Sequence, residues 1–405
     1  MAQSVNVKKL TPEVSRWMLD HVDLSLIREK DKKRDLAYLQ GERGITLKQL
    51  ESLSRRVHIP VSYFLVSTPP EEEFPIMQYR TVDLLQPEDP SRELIDTITR
   101  MEWIQDWIKD ERTADEMDSL EVVGSISPDD SVMTAARQVR NLLDLSLLWF
   151  HNRKKYSTVF SEMRDKIGHW GITVILDTNA GHSSRPLLIE EFRAFAMCDD
   201  QAPVIFINAN DTIGAQLFSL IHEFVHICIG SNDLFNGFNP PGIKEYRRKE
   251  EQFCNAVAAE ILVPSDNFAE IWKAAVRDHG VTGACSDLVS SYYKCSMVVV
   301  ARRALDRHYI FLKDYRAIEE TARKKAYAEA ARKKEELRKK AAAGGGGINP
   351  NAIKQFRLSK RFVQMVADSI TNGRTTYTEA FRLTGTTSNS FFNLLKAAGI
   401  HGYDQ

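Results

Sequence analysis

The chain has 405 residues, more than a single hydrophobic core usually organises, so the sequence predicts two to four domains. A formal net charge of −1 excludes a chain that is basic overall, and any nucleic-acid contact must come from a local patch. No stretch approaches the roughly 18 uninterrupted apolar residues of a membrane span. Five scattered cysteines without a CxxC pair favour reduced thiols. We therefore expect a cytoplasmic protein that does not enter a membrane.

Short helices are predicted for the first domain, residues 1–66. Thr11 is placed as an N-cap with Pro12 at the first helical position, and a later helix is expected to begin at Thr46 and to end by Pro60. The following segment, 67–89, begins with "STPPEEEFP" and is interpreted as a linker, because closely spaced prolines disfavour both helices and central strands.

A third domain is predicted at 90–310 and mixes helices with short strands. Helical periodicity marks 90–118, 133–150 and 286–309, and the three predicted strands are "ITVIL" (172–176), "RAFAM" (193–197) and "PVIFIN" (203–208). The strands precede a helix that contains "FSLIHEFVHICIG" (218–230). An alanine-rich helix, "EYRRKEEQFCNAVAAEILVP" (245–264), follows it.

Two further segments complete the chain. Residues 311–347 are predicted to form a charged helix that ends in a flexible glycine linker, and residues 348–405 a small helical module. The charged helix is interpreted as a solvated helix or as an arm that binds nucleic acid or a partner. The last module has a helix–turn–helix rhythm, which is common in small helical bundles and also found in DNA-binding domains.

The HExxH pattern of His222, Glu223 and His226 stands in an almost continuous apolar run. On a helix, residues four apart share one face, so both imidazoles point the same way. Three ionisable groups in a buried helix are costly unless they are compensated, and two neutral imidazoles with a carboxylate suit Zn²⁺. The adjacent Glu223 would then be the general base. The alternative is that both histidines are ordinary core residues with satisfied hydrogen bonds.

A third metal ligand is expected from the alanine-rich helix. Glu251 is the first residue of a helix face that also contains Asn255. The side chain of Asn255 could orient a metal ligand by a hydrogen bond without itself binding the metal. Glu250 is the first residue of the neighbouring face and is the less favoured alternative. Cys228 and Cys254 are interpreted as packing residues.

These two helices closely resemble the ImmA/IrrE metallopeptidases, in which an apolar run led by phenylalanine enters HExxH. In that family the second helix runs glutamate, two variable residues, alanine, asparagine, an aromatic residue and two alanines. The resemblance implies that His222, His226 and Glu251 are zinc ligands and that Glu223 is catalytic. Cys254 and Val257 depart from the family pattern, at positions where alanine and an aromatic residue are usual.

Upstream, the segment "AYLQGERGITLKQLESLSRRVHIPVSYFLVSTPPEEEFPIMQYRTV" resembles the region that joins an XRE-like helix-turn-helix to the peptidase in longer family members. The resemblance thus implies a helix-turn-helix-like domain at 1–66, with "SLIREKDKKRDLAYLQGE" in the recognition position. Asp31 and Asp35 interrupt the basic run there. This domain would bind DNA, or it would serve protein contacts or dimerisation.

The expected fold is α+β, with a zincin-like core of a small sheet, the HExxH helix and the glutamate-donating helix, flanked by all-α modules. The resemblance implies a gluzincin-like zinc endopeptidase acting on a protein partner, such as a transcriptional repressor or a toxin–antitoxin component, and thereby regulating gene expression. The alternative is a DNA-binding regulator or antitoxin that neutralises a partner and whose metal is structural or sensory. An interaction scaffold that sequesters a partner without cutting it is a third reading.

The sequence also suggests how substrate would be held. The strand "PVIFIN" (203–208) is expected to pair with an extended peptide at a sheet edge. Tyr246, Arg247 and His182 are candidates for stabilising the oxyanion, and the sequence does not choose among them.

Overall fold

The structure is a computed structural model, and it describes residues 5–22, 24, 27–57, 59–69, 79–80, 90–151, 154–181, 185–230, 243–342 and 357–400. The chain divides into two compact units, Met1–Pro75 and Ile76–Gln405. None of the described helices is both long enough and apolar enough to cross a lipid bilayer.

The first unit contains three helices and a short pair of strands. The helices are α1 (Pro12–His21), α2 (Glu29–Leu39) and α3 (Leu47–Val57), and the strands are β1 (Asn6–Val7) and β2 (Ile45–Thr46). Thr11 is confirmed as the N-cap of α1, since its hydroxyl accepts from the Val14 amide. The sequence predicted an all-α module, and the pair of strands shows that this is wrong in one detail. Ile45 is buried and pairs with Val7 in the antiparallel strands before α3 begins. A β-branched side chain of this kind favours a strand.

A buried aspartate joins α2 to α3. Asp35 is fully buried, and its carboxylate lies 2.7 Å from Arg34 and 2.5 Å from Arg56. Arg56 also lies 3.7 Å from Asp31. Since a buried carboxylate needs such partners, these acidic residues hold the helices together rather than merely interrupting a basic run.

The second unit is built on a four-stranded mixed sheet covered by helices. The sheet order is β3 (Tyr79–Arg80), β5 (Ala194–Met197), β6 (Val204–Asn208) and β4 (Thr173–Asp177), with β4 parallel to β6 and the other pairs antiparallel. The helices are α4 (Arg92–Ala114), α5 (Val132–Leu142), α6 (Tyr156–His169), α7 (Ile213–Ile229), α8 (Ile243–Leu262), α9 (Ser265–His279), α10 (Gly283–Tyr293), α11 (Met297–Asp306), α12 (Leu312–Ala342), α13 (Lys360–Thr371), α14 (Tyr377–Thr384) and α15 (Ser388–Ala397).

Three sequence predictions fail inside this unit. Residues 79–80, assigned to the linker 67–89, form strand β3 and pair with β5. The helix expected at 133–150 ends at Leu142, and two residues later Asp144 adopts a positive φ of 46°, which a helix cannot contain. The strand "PVIFIN" is β6, and it pairs with β4 on one side and with β5 on the other. Because both of its edges are already hydrogen-bonded, β6 cannot receive a peptide, and that prediction is wrong.

Both faces of the sheet are covered, and the strands show why. Along β6, Ile205 and Ile207 face the core formed with α7 and α8, whereas Val204 and Phe206 face a second core. Successive strand residues point to opposite faces, so a strand that is apolar at every position needs cover on both sides. Phe195 of β5 stacks on Phe206 in the second core, with ring centroids 5.2 Å apart.

The helices after residue 357 provide much of this second cover, together with α4. Trp107 of α4 meets Phe362 edge to face at 6.0 Å, and its indole N–H donates to Thr375 at 3.0 Å. Arg374 lies 2.8 Å from the buried Glu111 of α4. Leu358 forms an isolated antiparallel bridge with Ile175 of β4. The residues that follow the glycine-rich segment thus share a core with the sheet.

Replacing Phe362 by alanine should destabilise the second unit by about 3–5 kcal/mol, because the side chain is buried and the cavity cannot fully collapse. The same replacement at Phe311, which is 75% exposed, should change the free energy of unfolding by no more than about 0.5 kcal/mol. Urea unfolding followed by tryptophan fluorescence measures both. Equal, small effects would show that the last helices do not complete the core.

Candidate metal centre

The centre is built on α7, which runs through the middle of the second unit. This helix packs on β5 and β6 and against α6 and α8, so it is buried nearly all round. Its end is fixed by Gly230, whose φ of +73° places it in the left-handed region, and whose amide donates to the carbonyls of His226 and Ile227. A β-carbon at Gly230 would lie 3.1 Å from the backbone of Gly124, which is a tight contact, and the positive φ adds backbone strain to any other residue there.

The structure brings together His222, His226 and Glu251. The two Nε2 atoms of the histidines are 3.1 Å apart. Glu251, on α8, places one carboxylate oxygen 3.1 Å from Nε2 of His226 and the other 3.4 Å from Nε2 of His222. Within the described part of the chain, these three residues form the one group of histidine, cysteine and acidic side chains whose ligand atoms all lie within 4.8 Å of one another.

These distances fit a tetrahedral metal ion. Ligand atoms held about 2.0–2.1 Å from zinc at tetrahedral corners are about 3.3 Å from each other. The three measured separations of 3.1, 3.1 and 3.4 Å bracket that value. Two imidazoles with one carboxylate are also the donor set of many zinc sites that keep a coordination position open.

The electrostatics of the site call for positive charge. Burial alone would raise the pKa of the Glu251 carboxyl, but positive charge on the imidazoles of His222 and His226 holds that pKa below its ordinary range. His222 is fully buried and His226 is 5% exposed, so water screens these charges little. A divalent cation would supply the same compensation to the carboxylate while leaving both imidazoles neutral.

Glu250 also contacts the centre, but from the opposite side of His226. One of its carboxylate oxygens lies 3.2 Å from Nδ1 of His226, whereas Glu251 is next to Nε2 of the same ring. The thiol of Cys254 lies 3.6 Å from Nδ1 as well. Glu250 and Glu251 were predicted as alternatives for the third metal ligand. The contact of both glutamates with the same imidazole was not predicted. The available signal was that consecutive helix residues differ by about 100° around the axis.

The remaining predicted residues have separate places. Glu223 lies on α7 beside His222, is 2% exposed, and is not a member of the three-residue group. The amide of Asn255 donates to the main-chain carbonyl of Glu251 at 2.8 Å, one helical turn away. Cys228 is fully buried in the apolar core.

The oxyanion candidates have no described side chains. His182 lies outside the described residues. Tyr246 and Arg247 belong to α8, and their side chains are likewise outside the described part.

Comparison with known families bears on the region that carries this geometry. Residues 170–305 match the family model of the IrrE N-terminal-like domain, Peptidase_M78. The match supports a peptidase domain. Peptidase_M78 is a metallopeptidase family, and the matched residues include α7 and α8 with the three clustered side chains. The match therefore supports the ImmA/IrrE resemblance of this segment.

A second match lies near the end of the chain. Residues 358–397 match a domain of unknown function, DUF8813. They include the helices that pack in the second core, on the face of the sheet that contains Phe206. No curated protein matches the chain.

Proposed function

We propose that the second unit is a zinc-dependent endopeptidase of gluzincin type. His222, His226 and Glu251 are the zinc ligands in this proposal, and Glu223 is the general base. The observation that carries the proposal is the convergence of two imidazole nitrogens and a carboxylate at the spacing of a tetrahedral site. The Peptidase_M78 match over the same helices supports it.

The chemistry follows from the position of each side chain. Zinc at this position supplies Lewis acidity toward a peptide carbonyl and lowers the pKa of water. Glu223 accepts the proton of the attacking water and passes it to the departing amine. Glu223 is 2% exposed, so little bulk water competes for its carboxylate. His222 and His226 keep their Nε2 lone pairs directed at one point, with Glu251 closing the third side.

The proposed substrate is a protein partner, such as a transcriptional repressor or a toxin–antitoxin component, whose cleavage alters gene expression. This part rests on the ImmA/IrrE resemblance. A cytoplasmic location belongs to the same proposal. It is supported by the five cysteines, which all lie within described residues and form no disulfide there.

Glu251→Ala should weaken zinc binding by more than about 100-fold, since it removes one of three protein ligands. Glu270→Ala, an exposed glutamate on α9, is the matched control and should bind zinc like the wild type. Competition against a chromophoric chelator gives the affinities, and elemental analysis gives the stoichiometry. Wild-type protein purified without chelators that holds no stoichiometric transition metal would refute the metal site.

Glu223→Gln should reduce peptide hydrolysis by about 10²–10⁴-fold, because the amide cannot accept the water proton. Its zinc content should equal that of the wild type, since Glu223 is outside the ligand group. Mass spectrometry of new protein N-termini, after incubation of a cell lysate with either protein, is the measurement. New termini that form equally fast with Glu223→Gln would remove Glu223 from this role.

A second candidate function is DNA binding by the first unit, as expected for a regulator with a structural or sensory metal. The supporting observation is an exposed basic stretch at the start of α2, which contains Arg28, Lys30, Lys32 and Lys33. Lys32 lies 2.9 Å from the exposed Glu29, and Arg34 and Arg56 are paired with Asp35 and contribute little free charge.

The triple replacement of Lys30, Lys32 and Lys33 by glutamine should weaken binding to duplex DNA and flatten its salt dependence, because phosphate contacts release counterions. The control replaces Lys324, Lys325 and Lys339 of α12, which removes the same charge from other exposed sites. Fluorescence anisotropy across a salt series measures both. Equal losses in the two variants would assign the binding to overall charge, and no binding by the wild type would dismiss this function.

A further inference from the structure

We propose that Glu250 is a positioning residue that fixes the orientation and tautomer of His226 for metal binding. The inference rests on the proposed zinc site and assigns a separate task to the glutamate next to the third ligand. Glu250 itself is not a ligand in this arrangement, because its contact is with the ring nitrogen that faces away from the cluster.

The two nitrogens of His226 face different partners. Nε2 lies 3.1 Å from Nε2 of His222 and 3.1 Å from the Glu251 carboxylate, so it faces the cluster. Nδ1 lies 3.2 Å from the Glu250 carboxylate. A neutral imidazole carries its proton on one nitrogen only. A carboxylate that accepts from Nδ1–H therefore leaves the lone pair on Nε2, where a metal would be bound.

Burial gives this contact its strength. Glu250 is 3% exposed and His226 is 5% exposed, so water does not replace the carboxylate as the acceptor. A charge-assisted hydrogen bond in such a setting is about twice as strong as a neutral one. It also adds electron density to the ring and makes Nε2 a better donor to a cation.

Cys254 is the competing acceptor for the same proton. Its thiol lies 3.6 Å from Nδ1, one helical turn beyond Glu250 on α8. Sulfur is a weak hydrogen-bond acceptor, and its 3.6 Å contact with Nδ1 is longer than the 3.2 Å contact of the Glu250 carboxylate. Glu250 is therefore the residue that orients the ring, and Cys254 fills the space beside it.

The geometry also separates the tasks of two consecutive glutamates. The side chains of Glu250 and Glu251 project from α8 in directions that differ by about 100° around the helix axis. They contact opposite edges of one imidazole ring, one at Nδ1 and the other at Nε2. The ring is thereby held from both sides by a single helix, and the position of α8 relative to α7 sets both contacts together.

The test compares zinc affinity of the full-length chain in three variants by chelator competition. Glu250→Ala should bind zinc about 10–100-fold more weakly, since an outer hydrogen-bond partner of a ligand is lost. Glu250→Gln keeps a carbonyl acceptor for Nδ1–H and should recover most of that loss. Cys254→Ala should stay within about threefold of the wild type, because sulfur contributes little as an acceptor.

A spectroscopic readout separates positioning from general stability. With Co²⁺ as the probe metal, Glu250→Ala should shift the visible absorption bands relative to wild type, because the His226 ring reorients. Cys254→Ala should leave the bands in place. Urea unfolding of each metal-free variant shows whether it folds, and Glu250→Met, which fills similar space without a strong acceptor, carries the test if Glu250→Ala does not fold.

The outcomes distinguish the two levels of the proposal. Wild-type zinc affinity and an unchanged Co²⁺ spectrum in folded Glu250→Ala, or in Glu250→Met if the alanine variant does not fold, would overturn the role of Glu250 and leave the zinc site standing. A larger effect from Cys254→Ala than from Glu250→Ala would transfer the role to the thiol and overturn the inference as well. A wild-type chain that binds neither Zn²⁺ nor Co²⁺ would overturn the proposed function itself.

Discussion

The placement of three polar side chains inside an apolar helix pair is the constraint on which the second unit depends. His222, His226 and Glu251 are directed inward between α7 and α8, where the surrounding residues are apolar. Such groups are tolerated in a protein interior only when they compensate each other or share a cation. The alanine-rich face of α8 permits the close approach that makes this possible, and the adjacent helices are arranged around the pair.

The sequence predicted that His222 and His226 lie side by side, because the signal for this is local. Histidines four apart share a helix face, and the three strands before α7 were found within one residue of their observed limits. The expected Thr11 cap also appears where predicted, since capping depends on adjacent residues.

The errors concern features that depend on distant parts of the chain. Whether β6 is an edge or a central strand is decided by its partners β4 and β5, and no property of "PVIFIN" alone reveals them. Its unbroken apolar character did signal that both faces would be buried. The glycine-rich segment suggested that the last described helices form a separate module. Those helices instead help to cover one face of the sheet. Their hydrogen bonds to α4 join residues more than 250 positions apart.

Charge is distributed around His226 with a clear division of tasks. The side that faces His222 has a carboxylate in position to share a cation, and the opposite side has one in position to accept a proton. Because both acids come from successive positions of α8, a small rotation of that helix would disturb both at once. Geometry that depends on one rigid element is more reproducible than geometry assembled from several loops.

The second core, which the sheet shares with α4 and the helices after residue 357, has a consequence for biosynthesis. The aromatic face of the sheet, with Phe195 and Phe206, is covered by α4 and by helices that are synthesised after the segment 170–305. When the ribosome has completed residues 170–305, the nascent chain therefore exposes an apolar face of the sheet that the later helices do not yet cover. Nascent chains that expose such a surface are prone to aggregation. The second unit can thus close only after residues 357–400 have emerged, and chaperone protection during that interval matters more for it than for a domain that closes as it emerges.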